Sequence, residues 1–488
     1  MRPTARFLAA AASLIVLSPV CGFPASAAKA DIIVTAAPVY RPLAALSGGE
    51  RFPQGAQLLL LHDGKAEPLV AGFSATADAS VSFDARTVLF AGKQTRTDPW
   101  QIWELTLASH SVRKVIDSAA DAIRPLYLPS IIPGGRLVYA HRTAQGFQIE
   151  NARVKELLAV DVPLDPQPAL VQLTYLPASA LPADVLADGR ILFEAGFPLA
   201  SPSQIHPTPE LFLVYSDGSG VESYRCDHGQ ARWGGKQLSS GDVVFTHGTS
   251  LARFTSPLAH EAPIAAPRAE YEGAIAETAS GGWLVSVRTA PATHYALKLW
   301  KRGASTFESL LTDSGNDLIQ PVLVEPRARP NRHPSGLHNW NYANLLALAS
   351  RQSRAGDLKT VPASVRLETQ DAAGHAVIAG TAPVDRDGSF FVKVPGDKPI
   401  RFALLDARGT VLRQEHGWFW IRNGEQRICT GCHTGPERAS ENRVPAVLLR
   451  TTTPVDLTGA NPAANAQTKS AGSPRTDLGP RGDSQGGN

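Results

Sequence analysis

Between about Asp31 and Arg329 the chain repeats one short grammar, a turn glycine followed by a strand rich in β-branched and aromatic residues. The units include Val81 to Phe90 with Trp100 to Leu105, Gly134-Gly135 leading into Arg136 to Ala140, and Asp188-Gly189 leading into Arg190 to Phe193. Glu210 to Gly218, Ser240-Gly241 before Asp242 to Phe245, and Gly281-Gly282 before Trp283 to Val287 continue the series, the last joined by Leu297 to Trp300. Each reads as a hairpin, and where the turn holds a glycine that residue supplies positive φ. A repeat of about 40–55 residues built this way cannot bury both faces of its own sheet, so neighbouring units must stack around an axis. The expectation is an all-β chain opening with a β-propeller of six or seven blades. A β-sandwich pair or a solenoid is the alternative. Leu58 to Val70, joined to Gln320 to Val324 far along the chain, is expected to close the ring.

The propeller is expected to span 31–329 and to be of the WD40- or TolB-like kind. Glu325 to Pro334 is rich in Pro and Arg, which denies regular pairing, so 330–362 reads as a linker. Within it, Asn341 to Arg354 reads as a short helix or an ordered loop. From 363 to 454 apolar and polar residues alternate, at Val365, Leu367, Val377, Phe390 to Val394 and Phe402 to Leu405, with turns at Asp387-Gly388 and Arg408-Gly409. This segment is expected to form a small β-sandwich-like module. Residues 455–488 turn to Asn, Ala, Ser, Gly and Pro without periodicity and read as a disordered tail.

Shortly after the module's last strand comes Cys429-Thr430-Gly431-Cys432-His433. In a C-x-x-C-H sequence two thiols can each add across a vinyl group of one haem, and the histidine is then placed beneath the iron. Half of a structural zinc site and a thiol–disulfide pair are the alternatives. No second C-x-x-C supplies further zinc ligands, and no strand–turn–helix context surrounds the motif. The start of the chain agrees with a haem. Arg2 and Arg6 precede the apolar run Phe7 to Val20, and Ala25-Ser26-Ala27 offers a cleavage site, so 1–27 reads as a signal peptide. The run is interrupted by Pro19 and is short for a bilayer span, so no membrane span is expected after cleavage. The chain is expected to be periplasmic, where haem-attachment machinery would act on it.

Of 488 residues 43% are hydrophobic and 19% charged, enough to bury a large core. The formal charge of +3 falls to +1 once Arg2 and Arg6 leave, which is no electrostatic footprint for nucleic acid. Four cysteines, one of them in the leader, do not make a disulfide scaffold. Met1 is the one methionine, so His/Met iron ligation within this chain is excluded. The sixth position is then a second histidine, another side chain, or open. His416 is the nearest histidine upstream of the motif, and His333 and His338 follow as candidates. Trp418, Phe419 and Trp420 could cover a haem or plug the module; Trp418 and Trp420 are named as cofactor cover. Cys226 and His228, two apart on an extended chain, could hold a second metal such as zinc together with His247; a free thiol beside a surface histidine is the plainer reading.

The series Ala379-Gly380-Thr381-Ala382-Pro383-Val384, Asp387-Gly388-Ser389-Phe390, Val394-Pro395-Gly396-Asp397, Leu405-Asp406-Ala407-Arg408-Gly409, Asn423-Gly424-Glu425 and Cys429 to His433 resembles the middle domain of the hydrazine synthase alpha subunit family. The resemblance covers about 90 residues, and the preceding propeller fits the family's layout. It implies a propeller joined to a haem-c module, with the thioethers on Cys429 and Cys432 and the axial ligand on His433. Where hydrazine synthase carries an iron-binding tyrosine this chain has Glu437, so iron–His433 bonding is what carries over. The synthase also bears a second, C-terminal haem, whereas this chain has one C-x-x-C-H, so hydrazine synthesis is not implied. The reading is a monohaem c-type protein that passes electrons to a periplasmic redox partner. A haem-dependent oxidoreductase with an open iron face, and a redox or gas sensor, are the alternatives.

Overall fold

A computed structural model describes residues 30–130, 135–154, 169–197, 208–225, 230–354, 356–415, 417–432, 438 and 441–459. The expected signal peptide, Cys226, His228, His416, His433, Glu437 and the chain from 460 onward lie outside the described residues.

The described residues form six four-stranded antiparallel sheets followed by two further four-stranded sheets. The six are the blades of a propeller, at the lower end of the expected number. Their inner strands are Ala75–Val81, Ala122–Leu128, Ala180–Val185, Arg232–Gln237 and Glu270–Glu277 in blades 2 to 6, and Asp317–Val324 in blade 1. Blade 1 closes the ring. Asp317–Val324 pairs with Asp31–Ala37, which pairs with Gln57–His62 and through it with Lys65–Pro68. The two distant segments expected to meet do share this blade. They do not touch directly, because Asp31–Ala37, buried at six of seven positions, lies between them. Joining the first strand to the last removes the open edges of an unclosed ring.

The last two sheets form a sandwich. One has the order Gln426–Cys429, Tyr342–Ala347, Phe390–Pro395, Val455–Asp456; the other Ala376–Pro383, Ser364–Gln370, Ile400–Leu405, Val411–Gln414. Leu345, Val392 and Val394 from the first share one apolar core with Val365, Leu367, Phe402 and Leu404 from the second. Two boundaries need correction. Tyr342–Ala347, read as helix or loop within a linker, is an interior strand of the first sheet. Its Ala and Leu residues favour a helix in isolation. Ala343, Leu345 and Ala347 nonetheless alternate as buried positions, and pairing on both edges decides the outcome. The expected tail likewise begins too early. Val455–Asp456 pairs in parallel with Val392 and Lys393, and Leu457 is fully buried in the sandwich core. Among the described residues no helix is long and apolar enough to cross a membrane.

Candidate functional site

Cys429 ends the edge strand Gln426–Cys429, which runs parallel to Tyr342–Ala347 with Ala347 opposite Cys429. Leu348 donates its N–H to the Cys429 carbonyl at 2.9 Å, and Cys432 donates its N–H to the Gln352 carbonyl at 3.0 Å. The backbone on both sides of the C-x-x-C turn is therefore held by one segment, Ala347 to Gln352. Both cysteines are unpaired and half-buried, and both pack on the sandwich core. Burial pushes the Cys429 thiol up to about 11 and the Cys432 thiol up to about 12, and Glu415 adds to the rise at both. In this setting neither thiol is stabilised as a thiolate. Beyond the motif Arg438 makes a two-point pair with Asp357 at 2.5 and 3.1 Å. Asp357 also accepts the Ser353 N–H at 3.2 Å, so residues 352–357 anchor the chain before and after 433–437.

The three aromatics upstream separate. Phe419 bridges to Ile400 and packs on the same apolar cluster as both cysteines. Trp418 is half-buried, with the Arg401 guanidinium 4.6 Å from its ring. Trp420, expected as cofactor cover, is fully buried in a core built from blades 3 and 4, and its Nε1–H donates to the Gly218 carbonyl at 3.2 Å. It has no face left to offer a cofactor. Its role is to lock the sandwich onto the propeller, and Phe419 is the ring that accompanies the thiols. A plain aromatic cluster carries no signal that distinguishes these three environments.

The lock extends through Arg422, Glu425 and Arg427. Arg422 donates to the Gln172 carbonyl at 3.1 Å and to the Tyr175 hydroxyl, and pairs with Asp397 at 2.9 Å. Glu425 accepts the Arg427 guanidinium at 2.7 Å and the Gly220 N–H at 3.3 Å, while Arg427 donates to the Val221 carbonyl at 3.1 Å. Gly424 has φ 80°, and a Cβ there would lie 1.8 Å from the His338 carbonyl oxygen, so only glycine fits.

The candidate distal histidines within the described residues are otherwise engaged. His338 stacks on Trp340 at 4.2 Å and its Nε2 meets Gln426 at 2.8 Å, which is three strand residues, roughly 10 Å, from Cys429. His333 stacks on Tyr215 of blade 4 at 3.8 Å. His247 contacts Glu261, which also receives Arg232 at 2.7 Å. Among the described residues no group of three or more His, Cys, Asp or Glu side chains is placed to hold a metal ion.

The fold and this site define a class: a six-bladed propeller whose flank carries a β-sandwich with a C-x-x-C-H loop at its edge. Residues 348–434 match the family model of the hydrazine synthase alpha subunit middle domain, and through that domain the chain is related to the hydrazine synthase alpha subunit. Hydrazine synthase from Kuenenia stuttgartiensis has a similar structure, with a TM-score of 0.73 at 16% identity over 86% of this chain and 71% of that one. The likeness shows a shared fold across both domains. TolB from Acinetobacter baumannii matches with a TM-score of 0.41 at 11% identity, over 61% of this chain and 67% of that one. No curated protein matches the chain by sequence.

Proposed function

We propose that the protein is a periplasmic c-type cytochrome with one haem, joined through Cys429 and Cys432 with His433 as axial ligand, that exchanges electrons with a partner protein. The observation that carries this reading is the setting of the two thiols. They are unpaired, held protonated by burial, and seated together against an apolar core at an open sheet edge. That suits thioether formation, since a thioether needs no compensating charge. When bound, the haem supplies an iron centre that cycles between two oxidation states.

The chain's own residues hold the attachment loop in place. Phe419 and Leu358 extend the apolar surface on which both cysteines rest. Gln352 fixes the approach to the axial histidine, and the Asp357–Arg438 pair fixes the departure. Ile428, 66% exposed on the edge strand next to Cys429, leaves this side of the sandwich accessible to a redox partner. His416, the nearest histidine upstream of the motif, is the candidate sixth ligand.

The test is an optical spectrum of the protein matured with haem-attachment machinery, oxidised, reduced, and reduced under carbon monoxide. Electron transfer requires a low-spin spectrum that carbon monoxide leaves unchanged. Rapid, complete binding would instead establish an open iron face, and with it an oxidoreductase or a sensor.

A further inference from the structure

All six propeller inner strands break register where they pair with the next strand of their blade. The irregularities fall between Ala77 and Ser80, Ile123 and Leu126, Pro182 and Asp184, Trp233 and Lys236, and Tyr271 and Ile275, and in blade 1 opposite Ile33 to Thr35. At these bulges Asp78, Arg124 and Gln320 adopt φ of 59°, 51° and 55°, while blades 5 and 6 use Gly234 and Gly273. Left-handed backbone at a residue with a Cβ costs about 1–2 kcal/mol. Bulges re-aim side chains, and non-glycine residues held in this region cluster at ligand sites.

The three strained residues meet on the axis. Arg124 donates its N–H to Asp78 at 3.0 Å and its guanidinium to Glu194 at 3.0 Å. Gln320 donates to Asp78 at 3.0 Å, and Tyr40 donates to Glu272 at 2.7 Å. This network is the floor of a chamber of about 470 Å³ that extends toward the C-terminal ends of the inner strands. Apolar side chains in the walls include Val81, Leu126, Val185, Ile275 and Val322. A strap closes part of the mouth. Arg327 donates its N–H to the Phe83 carbonyl at 3.0 Å beyond blade 2, and Asn331 donates to the Ala187 carbonyl at 2.9 Å beyond blade 4. Val81 and Phe83 lie at the strap's level, so floor and mouth are about three residues, roughly 10 Å, apart along the strand from Asp78 to Val81. No sandwich residue lines the chamber, which is therefore separate from the C-x-x-C-H loop.

Its charge selects the ligand. The lining carries six carboxylates (Asp78, Asp184, Glu194, Glu272, Glu277 and Glu325) against the cationic Arg124, Lys236, Arg327 and Arg329. Arg51, behind Asp78 and paired with it at 2.5 Å, leaves one negative charge in excess. Tyr40, whose hydroxyl donates to the Glu272 carboxylate at 2.7 Å, and Trp233, whose Nε1–H donates to the Glu272 carbonyl at 3.3 Å, also line the chamber, and carboxylates beside aromatic rings favour an organic ammonium. The volume lies within the range of about 300 to 1,000 Å³ usual for a small-molecule site.

We propose that the axial chamber binds a small organic monocation, an ammonium head directed to the floor and an apolar body along the walls. The experiment is calorimetric titration of the full protein with hexylammonium, hexanoate and hexanol, three probes that differ in head group. Hexylammonium is expected to bind, and hexanoate not to. Glu194→Gln is expected to weaken hexylammonium by about tenfold, the worth of one charge-assisted contact. Since that change also leaves Arg124 without its partner, Ala183→Phe serves as a second variant; it fills the lumen without altering a charge and is expected to abolish binding while the unfolding transition persists. Hexanoate binding as tightly as hexylammonium, no binding by any probe, or undiminished binding in Ala183→Phe would each overturn the proposal.

Discussion

Replacing Trp420 by alanine tests whether the sandwich is locked to the propeller by the side chain to which the structure gives that role. Trp420 is fully buried among residues of blades 3 and 4 and bonds the Gly218 carbonyl. Truncating a buried tryptophan costs about 3–5 kcal/mol, and an unmet carbonyl adds to the upper end of that range. A loss of about 4 kcal/mol should lower the propeller's calorimetric midpoint by roughly 8 °C, at about 2 °C per kcal/mol for a unit of this size. Trp418→Ala is the internal control. That ring is half-buried, and its identified partner is the Arg401 guanidinium, so its loss should cost under about 1.5 kcal/mol. Scanning calorimetry of both variants, with limited proteolysis to follow domain separation, reads the difference. Equal effects, or a Trp420→Ala shift of less than about 2 °C, would refute the assignment.

Four further outcomes are expected. Arg51→Met should cost about 3–5 kcal/mol in urea unfolding, because it strands the buried Asp78 carboxylate without its bidentate partner. Gly189→Ala should loosen the strap: its φ is 89° and the new Cβ would lie 2.2 Å from the Asn331 carbonyl oxygen, so proteolytic cleavage near residues 327–333 should accelerate. In the polypeptide without haem, Cys429 should alkylate at pH 8 about a hundredfold more slowly than an unperturbed thiol, since a pKa raised by about two units cuts the thiolate fraction in that proportion. Hydrogen bonding from Arg438 lowers the Asp357 carboxyl to about 2, so the pair persists below the usual carboxylate range and is lost only as pH falls through about 2. In Arg438→Gln a carbon-detected titration should find Asp357 nearer its ordinary value; an unchanged curve would show that the pair does not form.

Local pattern revealed much of the fold, and the limits were set by contacts between distant segments. Turn glycines before β-branched runs marked four blades and the Asp84-Ala85-Arg86 turn a fifth, and the closing blade was legible because Leu58 to Val70 and Gln320 to Val324 each lacked a complete sheet of their own. Asp31–Ala37 escaped notice as the strand between them because no turn signal precedes it. Tyr342–Ala347 was obscured by its Ala and Leu content, and its neighbours lie far along the chain, at Phe390–Pro395 and Gln426–Cys429. At the site, Cys429 and Cys432 were visible as a motif, since their chemistry depends on spacing. The separate fates of Trp418, Phe419 and Trp420 depend on which domain each ring meets, and adjacent aromatics in one stretch do not encode that. The bulge ring at Asp78, Arg124 and Gln320 was equally hidden, because these are ordinary polar residues until six strands bring them to one axis.

Intact mass and in-gel colour of the denatured polypeptide, matured beside haem-attachment machinery, bear most directly on the proposed function. The expected result is a coloured chain heavier by one haem, with both colour and added mass lost in Cys429→Ala/Cys432→Ala. A colourless wild-type chain at its bare polypeptide mass would contradict it.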